Sequence, residues 1–372
     1  MNPTPVARIQ RLRPSLGSAR LILGAASVLC LASCSNGPDM PEAEFVSMGD
    51  LGGPLEAATV TTVSGILSVE PWTFGASTGE IIRTTHYRIF TTEQNVAMRR
   101  RLASFLEHAL THYRIVLEPL PAPPVRLDTY LMDNRPQWER LTRQLMGSQA
   151  SSLTSIQRGG FASRGIGVYY DLGLFDTCAI AAHEGWHQYT QRTFRDPLPI
   201  WLEEGIATFM EGHRWSRSTP IFRPWSNTER FDQLRRAAAN GRLFTLDELL
   251  NTRPQDYVER ADDSLLTYYA QLWAFTHFLN EGENQRYATG LRRVLRDAVA
   301  GKIRQNLTDQ IGQRAAGVAM ATRSGPGVFQ VYFSENQESV AAEFDEFLRR
   351  LVVPGSRDHV VAGRSPLSAG EP

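Results

Sequence analysis

His183-Glu184-Gly185-Trp186-His187, followed by Trp201-Leu202-Glu203-Glu204-Gly205-Ile206-Ala207, is the stretch on which the reading of this chain turns. Histidines at i and i+4 share one face of a helix, so both imidazoles can reach a single ion. Glu184, beside the first histidine, would face a water on that ion and take its proton. Catalytic zinc sites use three protein ligands and keep one position open, so a third ligand is needed from another element. The second segment offers Glu203 and Glu204, whose side chains leave a helix about 100° apart. Pro197 and Pro199 lie between the segments and predict a loop that reverses the chain into a second helix. Asp176 or Thr177 is the expected N-cap of the first helix. Ala207 and Thr208 are small and predict close helix packing near Glu204.

Upstream of this site the pattern is mixed. Residues 61–70 and 81–92 are rich in Thr, Val, Ile and aromatics and predict strands. Residues 94–117 fit a helix with an apolar stripe of Val96, Leu102, Phe105, Leu106 and Leu110. Residues 125–132 read as a strand and 137–146 as a short helix. The glycine-rich stretch 159–172 ends in a further strand containing Gly165, Gly167 and Tyr169. Helices are expected to dominate from Asp176 to Leu351, and a disordered polar tail over 354–372. Strands first and helices later give an α+β body, with an N-terminal mixed sheet and a mainly helical C-terminal part, spanning 61–353.

The 372 residues carry no net charge, which gives no electrostatic reason to expect nucleic acid. Hydrophobic residues at 42% suit a globular core. Of the three cysteines, Cys30 and Cys34 lie near the N-terminus, so Cys178 has no disulfide partner in the body and reads as a small buried residue. Arg8, Arg11, Arg13 and Arg20 precede an apolar run from Leu21 to Ser33, too short for a comfortable membrane span. That is the pattern of a secretory signal over residues 1–33. Leu31-Ala32-Ser33-Cys34 resembles the bacterial lipobox, which implies a lipid on Cys34 and a membrane-anchored protein of the cell envelope. By the same resemblance Ser35 favours the outer membrane. Residues 34–60, rich in Pro, Gly, Ala and acidic residues, read as a flexible tether.

HEGWH followed by WLEEGIA resembles the gluzincin metallopeptidases, and the body is similar to the peptidase MA-like domains of exported bacterial proteins. The resemblance implies that the glutamate before the glycine is the third ligand, selecting Glu204 beside His183 and His187. It further implies zinc as the cofactor, Glu184 as general base, and hydrolysis of peptide or protein substrates. Tyr268-Tyr269 opens an expected helix reaching Leu279, and by resemblance Tyr269 donates a hydrogen bond to the oxyanion. The strand containing Gly165 and Gly167 would be the sheet edge along which substrate lies. The competing reading is a non-catalytic, zinc-binding envelope lipoprotein acting in binding or assembly. His86, His108, His112, His213, His277 and His359 show no ligand spacing that brings in a third donor, and read as ordinary core or surface histidines.

Overall fold

The computed structural model describes residues 65–154, 159–258, 260 and 262–367. The expected signal segment, lipidated Cys34, tether and the last residues of the tail lie outside the described residues. Strands β1 (Ile66–Phe74), β2 (Ser77–Thr84) and β3 (Tyr87–Thr91) lead into helix α1 (Val96–Tyr113) and strand β4 (Leu127–Met132). Helices α2 (Arg135–Met146) and α3 (Ala150–Thr154) precede the hairpin β5 (Gly160–Ser163) and β6 (Ile166–Tyr170). Then come α4 (Leu174–Thr193), α5 (Ile200–Met210) and a small hairpin, β7 (His213–Ser216) with β8 (Thr219–Phe222). The remainder is helical: α6 (Thr228–Ala239), α7 (Leu246–Asn251), α8 (Gln255–Val258), α9 (Ser264–Glu281) and α10 (Ala288–Ala300). It continues through α11 (Ile303–Ile311), α12 (Gln313–Thr322), α13 (Gly327–Tyr332), α14 (Gln337–Leu351) and α15 (Ser356–Val361).

The fold is α+β, as the order of elements in the sequence implies. Six strands form one sheet in the order β1-β2-β3-β4-β6-β5. The pairs β3–β4 and β4–β6 are parallel and the others antiparallel. Successive side chains in a strand alternate faces, and the two faces fill separate cores. Tyr130 and Met132 of β4, with Val168 and Tyr170 of β6, pack against Trp138 and Leu141 of α2. Leu127 and Leu131, with Tyr169, face α1 and α4 and join the large core that continues through the C-terminal helices.

Several expectations shift in detail. The segment 81–92 is two strands, because Thr84 and Tyr87 close a turn there: the Tyr87 N–H donates to Thr84 Oγ1 at 3.0 Å. In α1 the buried stripe starts at Met98, whereas Val96 is 48% exposed at the open first turn. Asn95 caps this helix, its side chain accepting from Ala97 and Met98 N–H. Helix α4 begins at Leu174, after Gly173 at φ 92°, so neither Asp176 nor Thr177 is the N-cap. Thr177 instead hydrogen-bonds Leu172 N–H and Asp171, closing the approach to the helix. The tail is not featureless from 354: α15 forms against α6, with Ser356 and Val360 buried.

The sheet edge also differs from expectation. Strand β6 is interior, between β4 and β5, and β5 is the edge. The hairpin between them turns at Arg164 and Gly165, both at positive φ. A Cβ on Gly167 would lie 3.3 Å from Gln188 Oε1, so this glycine admits helix α4. Gln188 and Gln191 of α4 clamp the hairpin and its neighbour: Gln188 Nε2 donates to Asp128 O at 2.6 Å, and Gln191 Nε2 to Ala162 O at 3.3 Å. Among the described residues, no helix is long and apolar enough to cross a membrane.

Helix α4 is buried nearly all round from Thr177 to Thr190, a pattern that belongs to a helix through the middle of a core. Two glycines let it and α5 approach their neighbours. A Cβ on Gly185 would lie 2.6 Å from Tyr113 Oη, which donates to Ala182 O. A Cβ on Gly205 would lie 2.6 Å from Thr276 Oγ1 and 3.0 Å from Leu272 O on α9. Gly205→Ala is expected to destabilise the fold by about 1–3 kcal/mol through overpacking against the α9 backbone. Urea unfolding checks this; an unchanged midpoint and slope would show that α9 yields at no cost.

Candidate metal centre

Helix α4 ends at Thr193, where Phe194 leaves helical geometry with ψ 138°. The chain then turns through Pro197 and Pro199, whose ring φ and missing N–H forbid continuation of α4. The turn is tied to the C-terminal helices. Arg195 and Asp196 N–H both donate to Ala298 O at 3.0 Å. Ile200 N–H donates to Arg323 O at 2.7 Å, and Arg323 Nε donates to Leu198 O at 2.8 Å. Helix α5 therefore returns alongside α4 and brings Glu204 to the histidine face.

Nε2 of His183 and Nε2 of His187 lie 3.3 and 3.6 Å from the same oxygen, Oε2 of Glu204. The three donor atoms all fall within 4.8 Å of one another. Two ligand bonds of about 2.1 Å at a tetrahedral angle put their donors about 3.4 Å apart, so this spacing suits a small tetrahedral ion. The donor set, two imidazoles and a carboxylate, is one that zinc accepts. Burial is complete: His183 and Glu204 are 1% exposed, His187 and Glu184 0%. Nε2 of His183, Oε2 of Glu204 and both carboxylate oxygens of Glu184 are buried without a well-formed hydrogen bond. Polar atoms left so are costly, and an ion with its water would satisfy them. The residues present fit a metal.

Each imidazole is held from behind. His183 Nδ1 meets Glu211 Oε1 at 2.8 Å, and His187 Nδ1 meets Glu203 Oε1 at 3.1 Å. A carboxylate on Nδ1 fixes the tautomer with the proton there and turns the Nε2 lone pair to the metal. Glu203 also accepts from Thr190 Oγ1 at 2.7 Å, and Arg323 Nη2 lies 3.8 Å from its other oxygen. Glu211 accepts from Asn227 Nδ2 at 2.8 Å and from Arg230. Glu203, the alternative third ligand by sequence, is thus the carboxylate that orients His187. Sequence reasoning missed Glu211, although it stands two helical turns beyond Glu204 on the same face. Arg230 and Arg323 carried no local signal, since their contacts are long-range.

The charges agree with this geometry. Burial raises the Glu204 carboxyl, but the adjacent His187 and His183 imidazoles overcome it and hold it at about 2. Burial likewise opposes ionisation of Glu211, and the Arg230 charge with His183 brings it down to about 2. Burial lowers His183, but the Glu204 carboxylate beside Nε2 and the hydrogen bond of Nδ1 to Glu211 leave it above its ordinary value. Glu184 behaves oppositely: desolvation dominates and pushes it up to about 7, despite the lowering charges of His183 and His187.

Tyr269 lies one turn inside α9 rather than at its start, fully buried, with its ring edge-on to that of His183 at 6.0 Å between centroids. Tyr268 faces elsewhere, its hydroxyl donating to Thr252 O at 3.0 Å. Cys178 is buried, and desolvation raises its thiol far above the usual range, which makes it inert. His112 is half-buried and stacked on Phe222, where desolvation lowers it to about 4, and His277 is stacked on Trp225 at 3.6 Å.

Residues 177–298 match the sequence profile of a family described as a protein of unknown function, DUF1570. The match takes in the three metal-facing residues, Glu184, Glu203, Glu211, Arg230 and Tyr269, and leaves the six-stranded sheet outside. A search of curated proteins finds no match.

Because His183 is raised in the metal-free protein, an ion that enters at a pH below that raised value must displace a proton from it. Zinc affinity is therefore expected to fall as pH drops toward and below the ordinary histidine value of 6.5, with proton release on binding. Titration calorimetry in buffers of different ionisation enthalpy measures this. Binding with no proton release at pH 6 would contradict it.

Proposed function

We propose that this protein is a zinc-dependent peptidase. The observation that carries the reading is Glu184: a fully buried carboxyl whose two oxygens have no hydrogen-bond partner, adjoining, among the described residues, a cluster of three ligands rather than four. A purely structural zinc site has no need of such a group. Bound zinc supplies Lewis acidity and lowers the pKa of a water to about 7. His183, His187 and Glu204 hold the ion. Glu203 and Glu211 keep both imidazoles in the tautomer that binds. Glu184 takes the proton of the attacking water and passes it to the leaving amine, a task suited to a carboxylate that adjoins the first ligand. Tyr269 stands beside His183 and donates to the oxyanion as the scissile carbonyl becomes tetrahedral. The edge strand β5 adjoins α4, so an extended peptide could align along it by main-chain hydrogen bonds. Residues 1–34 support a lipid-anchored location in the bacterial envelope, with Cys34 as the anchor.

The complete burial of the ligands favours a second reading, in which the metal is held for binding or assembly and no peptide reaches it. The two readings part on one experiment. Glu184→Gln is expected to keep about one zinc per chain and to lose chelator-sensitive cleavage of a peptide library, whereas His183→Ala loses the metal. A Glu184→Gln variant as active as the parent, or a zinc-loaded parent that cleaves nothing, would sink the peptidase reading. Tyr269→Phe is expected to lower kcat by about 10²–10³-fold with zinc retained, as removal of one oxyanion donor does. Steady-state kinetics on a cleaved peptide checks it.

A further inference from the structure

Arg230 comes from α6, well removed in sequence from both site helices, yet it is 5% exposed and built into the metal centre. Its Nε and Nη2 donate to the two oxygens of Glu211 at 3.0 and 2.8 Å, a fork on a carboxylate. Nη1 donates to Gln233 Oε1 at 3.2 Å, and Gln233 is in turn tied to Glu229 at 3.1 Å. The guanidinium lies 5.3 Å from the centroid of the Tyr269 ring. That ring stands edge-on to His183, and His183 bonds Glu211. The four side chains Arg230, Glu211, His183 and Tyr269 close a circuit, each touching the next.

We propose that Arg230 is a positioning residue of the metal centre, acting on His183 through Glu211. The inference rests on the metal reading given above. A carboxylate free to rotate would leave the imidazole plane undetermined. A two-point fork fixes the plane of the Glu211 carboxylate, and that fixes where Nδ1 must point and so where Nε2 aims. The Tyr269 face braces the guanidinium from its other side, as a ring does for a cation. Lysine could neutralise Glu211 as a point charge but could not impose the plane. Charge balance and orientation are therefore separable by substitution.

The test is cobalt(II) binding to the metal-free protein, read as a dissociation constant by chelator competition and as the visible ligand-field band. Arg230→Lys keeps the charge and is expected to weaken binding about 10-fold or more and to alter the band, with far-UV circular dichroism unchanged. Glu211→Gln should do the same, and the Lys/Gln double variant should bind no more weakly than Glu211→Gln alone. An Arg230→Lys protein with the parent's affinity and band would overturn the proposal, as would additive losses in the double variant. If Arg230→Lys does not fold, Arg230→Met with Glu211→Gln removes the buried charge on both sides. That pair should match Glu211→Gln alone, and parental affinity in it would overturn the proposal. A parent that binds no cobalt(II) or zinc fails the metal reading itself and takes this inference with it; a parent that binds while Arg230→Lys is unaltered fails the inference alone.

Discussion

Glu204 is a carboxylate in a dry interior, 1% exposed, and it faces two imidazoles across 3.3 and 3.6 Å. Stripping an ionised carboxylate of water costs several kcal/mol unless charge and hydrogen bonds answer it. Much of the surrounding architecture supplies that answer. The imidazoles must arrive together, which calls for one helix with both on a face. They must be oriented, which calls for Glu203 and Glu211 behind them. Those carboxylates are buried too, and Thr190, Asn227, Arg230 and Arg323 offset them in turn. Polar networks of this kind favour a fold only when each member is satisfied.

The helical C-terminal part is what closes the network. The reversal between α4 and α5 is pinned at Ala298 and Arg323, from α10 and the end of α12. Helix α6 delivers Arg230, and α9 delivers Tyr269. The sheet contributes differently. Through Gln188 and Gln191 it sets β4 and the hairpin β5–β6 against the same helix that carries the ligands.

The α+β order was legible from the sequence, because β-branched and aromatic runs come before long helical ones. The ligand cluster was legible because its chemistry is local: i, i+4 on one helix, then a glutamate before a glycine after a proline turn. Legibility stops where contacts are long in sequence. Nothing near Arg230 marks it as the partner of Glu211, and nothing in 159–172 says that β5 takes the edge in place of β6. The hairpin turn at Arg164 and Gly165 is a two-residue event hidden inside a glycine-rich run. Glycines in such a run suggest room for a ligand, whereas Gly167 makes room for the Gln188 side chain. Val96 falls off the buried stripe because the apolar pattern starts one turn before the core does. Helix α15 is invisible in the sequence because a short helix on a polar segment depends on the surface that receives it.

Gly185 and Gly205 have a mechanical meaning beyond tight packing. One sits against Tyr113 of α1, the other against Leu272 and Thr276 of α9, each where even a methyl group would collide. Sliding α4 by one residue would drive Glu184 or Trp186 into the first slot. Sliding α5 would drive Glu204 or Ile206 into the second. The two helices are thus keyed axially, each like a shaft with a single notch. Their relative height, on which the convergence of three donor atoms depends, is gauged by two absent side chains rather than by any attraction between the ligands.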